Sequence, residues 1–332
     1  METIKYDKNQ LYVAVWMVTY NHSKYIGEAI EGVLKQETSF RYKLFIGEDC
    51  STDDTRQICR RYADAHPDII ELICTETNNM WTNSNNIWEA CHNSKARYVA
   101  QCEGDDYWTD PAKLQRQVDF LESNSDFSLT FTSAKVLDET GKLWPKERFY
   151  PKLDKDVLTI EDFILAHTSI IPTASLVFRN ILPWPMPDFY LRVISGDIML
   201  AIMMADMGKA KYFDLDTCIY RIHSGGVTNT ERNKKLGNPK LMELYLDLDK
   251  YMGFRYHRAF TRRLLDATRG NLIFGAKGKK GIALVRHYFT YMPQYIKYSY
   301  PLNLKEFVYY TGVLFCPKLL KFLSEFFESL QG

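Results

Sequence analysis

Glu103-Gly104-Asp105-Asp106 puts three carboxylates into four positions. They follow Tyr98-Val99-Ala100-Gln101-Cys102, an apolar run that reads as a buried strand, and precede Tyr107-Trp108-Thr109-Asp110-Pro111. Asp110 is suited to cap a helix there, with Pro111 in its first turn. Acidic side chains crowded at the carboxyl end of a strand repel one another unless a proton or a cation intervenes. A hard divalent cation, held by one or two carboxylates together with substrate phosphates, resolves that repulsion. An isolated Asp-Asp pair is more simply an acidic turn with a helix cap. The neighbouring elements must decide between the two readings.

Residues 11–18 are almost continuously apolar, as in a strand buried on both faces, and they end in the polar loop Thr19-Tyr20-Asn21-His22. Ile26, Ala29/Ile30 and Val33/Leu34 then recur at helical spacing. A second strand over 43–47 closes on Glu48-Asp49-Cys50-Ser51-Thr52-Asp53-Asp54-Thr55. Ser51 or Thr52 is placed to cap the next helix, with Asp53 and Asp54 in its positive first turn. Residues 69–74 read as a third strand, 84–93 as a helix, 98–102 as a fourth strand and 112–124 as a packed helix with Leu114, Val118 and Leu121 inward. Asn78, Asn79, Asn83, Asn85 and Asn86 read as a polar loop of caps and turns near the same rim.

Strands alternating with helices predict an α/β fold with a doubly wound, mostly parallel sheet. Right-handed crossovers bring the carboxyl ends of such strands to one rim, where these sheets bind ligands. That rim gathers Thr19, Tyr20, Asn21, Glu48, Asp49 and the acidic run. Neither G-x-G-x-x-G nor G-x-x-x-x-G-K-[ST] occurs. A nucleotide can still be held by an aromatic platform, a carboxylate for a base N–H and a cation for the diphosphate. Tyr20, Asp49 and Asp105 have those three chemistries, while loop packing for Tyr20 and helix capping for Asp49 are the structural alternatives.

The 332 residues exceed a typical single core, which implies one elaborated domain or two. With 46% hydrophobic and 25% charged residues the chain is of ordinary globular type, and a net charge of +1 points to no nucleic-acid partner. No export signal and no apolar stretch of ~18 residues is found. The seven cysteines lack any C-x-x-C pair, which favours the reduced thiols of a cytosol over disulfides or zinc. Charge is uneven, however. Residues 253–332 hold thirteen Lys and Arg against four acids, a net +9, leaving −8 on residues 1–252.

The segments Val15-Trp-Met-Val-Thr-Tyr-Asn21, Ile46-Gly-Glu-Asp-Cys-Ser-Thr-Asp-Asp-Thr55, Ala100 to Pro111, Ser195-Gly-Asp-Ile-Met-Leu200 and Tyr220-Arg-Ile-His-Ser-Gly-Gly-Val227 occur in order. Together they resemble the inverting, chiefly bacterial family 2 glycosyltransferases. The resemblance implies a GT-A-type fold over residues 1–230, with a mainly helical, basic and aromatic-rich extension over 231–332. It implies a nucleotide-diphosphate sugar donor (a UDP-sugar favoured) and a divalent cation, Mn2+ or Mg2+. Thr19 and Tyr20 then meet the nucleobase with Asn21 and Ser51 beside them, and Asp49 takes the base. The family's D-x-D appears as Glu103-Gly104-Asp105, so Asp105 is the expected metal ligand and Glu103 lies on the ribose or sugar side. Asp106 either supports that ligand from behind or orients the next helix. Asp197, opening an apolar helical pattern over 199–207, is the expected general base. His223 is expected to reach the cation or the diphosphate. Arg221 either neutralises the leaving group or pairs with an acid such as Asp214 or Asp216.

The expected acceptor is a surface polysaccharide or lipid-linked glycan, and the expected place is the cytoplasm, with peripheral attachment to the inner membrane face as a variant. The basic tail, including an amphipathic pattern over 318–330, is a candidate acceptor, membrane or dimer surface. Two rival classes remain: a nucleotidyltransferase, whose glycine-rich basic loop is missing after the first strand, and a donor-binding module without activity.

Overall fold

In the computed structural model, residues 4–150, 152–166, 169–192, 196–226, 239–274 and 281–298 are described. The first apolar run becomes β1 (Leu11–Thr19), with Tyr12 to Met17 all buried. It is followed by α1 (Ile26–Leu34), β2 (Arg41–Glu48), α2 (Thr55–Ala65), β3 (Ile70–Cys74), α3 (Met80–Asn93) and β4 (Tyr98–Gln101). These four strands are parallel, in the order β3-β2-β1-β4. Alternate residues of β1 face opposite layers. Val13, Val15 and Met17 join Ile26, Ile30 and Val33 of α1 in one core, while Trp16 packs on Trp88 of α3 with ring centroids 5.7 Å apart.

Beyond β4 come β5 (Tyr107–Trp108), α4 (Lys113–Ser123), β6 (Phe127–Asp138), β7 (Leu143–Trp144), β8 (Val157–Leu158), α5 (Ile160–Leu165), β9 (Val177–Arg179), α6 (Gly196–Met207) and β10 (Lys209–Ile222). The sheet continues β4-β9-β6-β10-β5, with β7 on β6 and β8 on β10. Here it is mixed, since β9 runs antiparallel to β4 and β6 whereas β6 and β10 are parallel. In α4, Leu114, Val118 and Leu121 are fully buried, as their spacing predicts.

Local chemistry moves several boundaries. The side chain of Asn79 accepts the amides of Trp81 and Thr82, so α3 begins at Met80 and Asn83, Asn85 and Asn86 lie within it rather than in a loop. The α2 amide at Thr55 is taken by Asp53 at 3.0 Å, not by Ser51 or Thr52. Asp110 accepts the amide of Ala112 at 2.9 Å, just ahead of α4.

The chain divides into two compact units, Met1–Asn229 and Thr230–Gly332. In the second, α7 (Pro239–Tyr251), α8 (His257–Phe274) and α9 (Gly281–Tyr298) are described. Tyr245 of α7 meets Phe260 of α8, and Leu272, Met292 and Tyr295 form a small core with Leu265 and Tyr291. Among the described residues no helix is long and apolar enough to cross a membrane. The amphipathic pattern over 318–330 lies outside the described residues.

Candidate active site

The loops after β1 and β2 are stitched together. Asn21, at φ 55°, accepts the amide of Thr52 (2.8 Å) and donates its own to Ser51 Oγ (3.0 Å). The Ser51 amide donates to the buried carboxylate of Glu48 (2.7 Å), whose other oxygen takes Arg56. The Asp49 carboxylate accepts Thr75 Oγ1, the Asn79 amide and Asn78 Nδ2 at 3.1, 2.9 and 2.9 Å. Among the described residues these partners leave one lone pair, on Oδ2, for a ligand. Tyr20 stands at the rim, 38% exposed.

The acidic run is pressed against β1. The Gly104 amide donates to Val18 O at 3.0 Å, and a Cβ at Gly104 would lie 2.7 Å from Thr19 Cβ and Oγ1. No larger residue fits there without moving the loop. Asp105 Oδ2 then lies 2.9 Å from His223 Nε2 and 3.8 Å from His22 Nε2. One ligand atom from each of His22, Asp105 and His223 lies within 4.8 Å of the others. A carboxylate oxygen and two imidazole nitrogens so gathered suit a divalent cation.

Around this triad the charges are set by burial. Burial raises the Glu103 carboxyl, and the nearby charges of Asp105 and Asp197 raise it further. Asp106 is pushed well above the usual carboxylate range by burial, then by Asp105 and Glu103. Burial also opposes the charge on Asp105, yet its bond with His223 and the adjacent imidazoles hold it below the usual value. Burial lowers the His22 imidazole against the pull of Asp105. Asp197, half-buried at the start of α6, is raised by burial against hydrogen bonds from Ser169 and the Ile198 amide.

The sequence matches the model of the family described as Glycosyl transferase family 2 over residues 14–182, just over half the chain. The chain belongs to this family. It is 31% identical over 226 residues to an uncharacterized protein of Mycobacterium tuberculosis H37Rv, covering 67% of this chain and 63% of that one. It is 33% identical over 129 residues to the putative teichuronic acid biosynthesis glycosyltransferase TuaG of Bacillus subtilis, covering 39% and 49%. The chain thus spans less than two thirds of the length of these curated relatives. In fold it is similar to the mannosyltransferase PcManGT from Pyrobaculum calidifontis in complex with GDP-Man and Mn2+, with TM-score 0.53 and 16% identity, covering 93% of this chain and 88% of that one. It is likewise similar to S. aureus TarS 1-349 in complex with UDP-GlcNAc, with TM-score 0.50 and 15% identity, covering 87% and 79%. The architecture is a GT-A-type fold.

The family match spans the β1 loop, Asp49 and the acidic run, while Asp197, Arg221 and His223 lie beyond it. Arg221 pairs with neither Asp214 nor Asp216, which both face Lys146. Its guanidinium is held between the rings of Tyr25 and Tyr107, 4.8 and 5.0 Å from their centroids. It donates to Asp105 O at 2.8 Å and to Glu28 Oε2 at 2.6 Å, and its backbone amide donates to Asp106 Oδ1 at 2.8 Å. Asp106 and Arg221 therefore brace the loop that carries Asp105.

Sequence reasoning missed His22, Glu28 and Tyr150. His22 carried one signal, an imidazole in the polar loop at the carboxyl end of a buried parallel strand. Glu28 looks like any exposed helix acid. Tyr150 gave no sign, yet burial raises its phenol and it senses the charges of Asp106 and Asp197.

Proposed function

We propose that this glycosyltransferase moves a sugar, with inversion, from a nucleotide-diphosphate sugar to an acceptor hydroxyl. The observation that carries this reading is the meeting of Asp105 and His223, 2.9 Å apart, at the rim beside the loops of Thr19, Tyr20 and Asp49. Asp105 and His223 would hold a divalent cation, which would supply positive charge to the departing diphosphate. The acceptor oxygen attacks the anomeric carbon, and the bond to the diphosphate breaks with its electron pair leaving on the nucleotide. The hydroxyl proton passes to Asp197. A single displacement needs no second carboxylate as covalent nucleophile. Tyr20 flanks the base, the buried Thr19 lies beneath that loop and does not reach the base, Asn21 and Ser51 set the loops around it, and the remaining Oδ2 position of Asp49 takes a base N–H. Glu103 faces the ribose or sugar.

UDP-GlcNAc in the TarS complex and GDP-Man with Mn2+ in the PcManGT complex support a nucleotide-sugar donor with a cation, and we favour a UDP-sugar. The teichuronic acid role in the name of TuaG supports a surface polysaccharide or lipid-linked glycan as acceptor. The corner between α7 and α8 exposes Phe254 (58%) among the exposed Lys250, Arg255, Arg258 and Arg262, which suits contact with an anionic membrane surface. Nuclear magnetic resonance of the product from a UDP-α-sugar tests the chemistry. A β-linked product is expected, and an α-linked one would refute inversion.

A further inference from the structure

Asp105 and His223 have roles in the proposed chemistry, whereas His22 has none. Yet the backbone of His22 is firmly anchored. Its amide donates to Thr55 Oγ1 at 2.8 Å, and its carbonyl accepts the amides of Tyr25 and Ile26, both at 2.8 Å. Its Nδ1 lies 3.2 Å from Thr19 Oγ1, on a threonine only 2% exposed. When that hydroxyl accepts from Nδ1–H, the Nε2 lone pair is left for a metal, the arrangement found behind metal-bound histidines. That Nε2 points to Asp105 Oδ2 at 3.8 Å, too long for a hydrogen bond. The ring stands edge-on to His223, at 87° and 5.7 Å between centroids. A histidine kept merely to pair with Asp105 would close that gap, as His223 does.

We propose that His22 is a third protein ligand of the cation, giving a two-histidine, one-carboxylate site that takes up a transition-metal dication before any donor arrives. This rests on the donor-and-cation reading of the same rim. A site with one carboxylate depends on substrate phosphates to hold its ion, and Mg2+ keeps several waters in such sites. Two imidazoles change that balance. Imidazole favours first-row transition ions, whose affinities rise from Mn2+ through Co2+ to Ni2+. The site therefore selects Mn2+ over Mg2+, and Co2+ over Mn2+.

The test is titration of the nucleotide-free protein with Mn2+, following the electron paramagnetic resonance signal of the free ion. Wild type, His22→Ala, Thr19→Val and Asp105→Ala are compared, each first shown to melt cooperatively without metal. Wild type should bind one Mn2+, and a ~100-fold excess of Mg2+ should fail to displace it. Thr19→Val keeps the imidazole but loses its orienting partner and should weaken binding by about 10- to 100-fold. His22→Ala should weaken it at least as much, and Asp105→Ala should abolish it. Equal affinity in wild type and His22→Ala overturns the proposal, as does displacement by equimolar Mg2+. Mn2+ uptake only when UDP is present also overturns it while leaving the donor reading intact. Conversely, His22-dependent uptake that UDP and GDP both fail to tighten upholds this ligand and refutes the donor reading.

Discussion

At the scale of single residues the site is a cluster of carboxylates raised by burial around one that is held ionised. As the proposed base Asp197 would act only when deprotonated, and burial raises its carboxyl. Transfer should accordingly rise with pH along a limb above the usual carboxylate range. Asp197→Asn should lose about 10²- to 10⁴-fold in kcat with donor affinity unchanged. Near wild-type turnover by Asp197→Asn would remove it from the mechanism. Glu103 makes a second, opposite prediction about stability. Its carboxyl is raised to about 8 from 4.5, so the folded state keeps a proton that the unfolded chain has released. Stability of the metal-free protein should thus fall as pH rises from about 4.5 to 8. Glu103→Gln should flatten that fall and melt higher at pH 8 with no gain at pH 4, as scanning calorimetry would show. At this scale the sequence was informative where charge is dense and silent where a contact is distant. The carboxylates of 103–106 announce themselves by crowding. The acid paired with the Arg221 guanidinium is Glu28, 193 positions away, and no local pattern links them.

The elements position this chemistry through close backbone approach. The acidic loop rests on β1 because Gly104 lacks a Cβ, and Arg221 at the end of β10 ties that loop to α1. Gly104→Ala should cost about 1–3 kcal/mol in denaturant unfolding, since the added methyl meets Thr19 and Ile26 Cδ1 within 3.0 Å. Arg221→Lys keeps the charge but loses the planar fork and the two ring contacts. It should weaken cation binding and lower the melting temperature, and unaltered Mn2+ affinity would show that the brace does not matter. The parallel half of the fold was readable because strands buried on both faces are nearly all apolar. The antiparallel strands β5, β8 and β9 are only two or three residues long, too short to show a period. Cys218–Tyr220 looks like a short strand because Asp214 and Asp216 interrupt the apolar pattern. It is the end of fourteen-residue β10, whose register shifts at those acids.

Over the whole molecule, an acidic body of −8 precedes a basic segment of +9. If the basic unit meets an anionic bilayer, the full chain should sediment with vesicles of phosphatidylglycerol and phosphatidylcholine but not with phosphatidylcholine alone. Salt and Arg258→Glu should both release it. Equal binding to neutral vesicles, or none to anionic ones, would contradict that contact. Thermal unfolding with nucleotides probes the donor site. Wild type and Asp105→Ala would be melted with UDP, GDP and UMP, each with and without Mn2+. A nucleoside diphosphate at about 100 times its Kd should add ~2.7 kcal/mol, a rise of several degrees, only with Mn2+ and only in wild type. No shift with any diphosphate, or the same shift in Asp105→Ala, would contradict the assignment of this rim as the donor site.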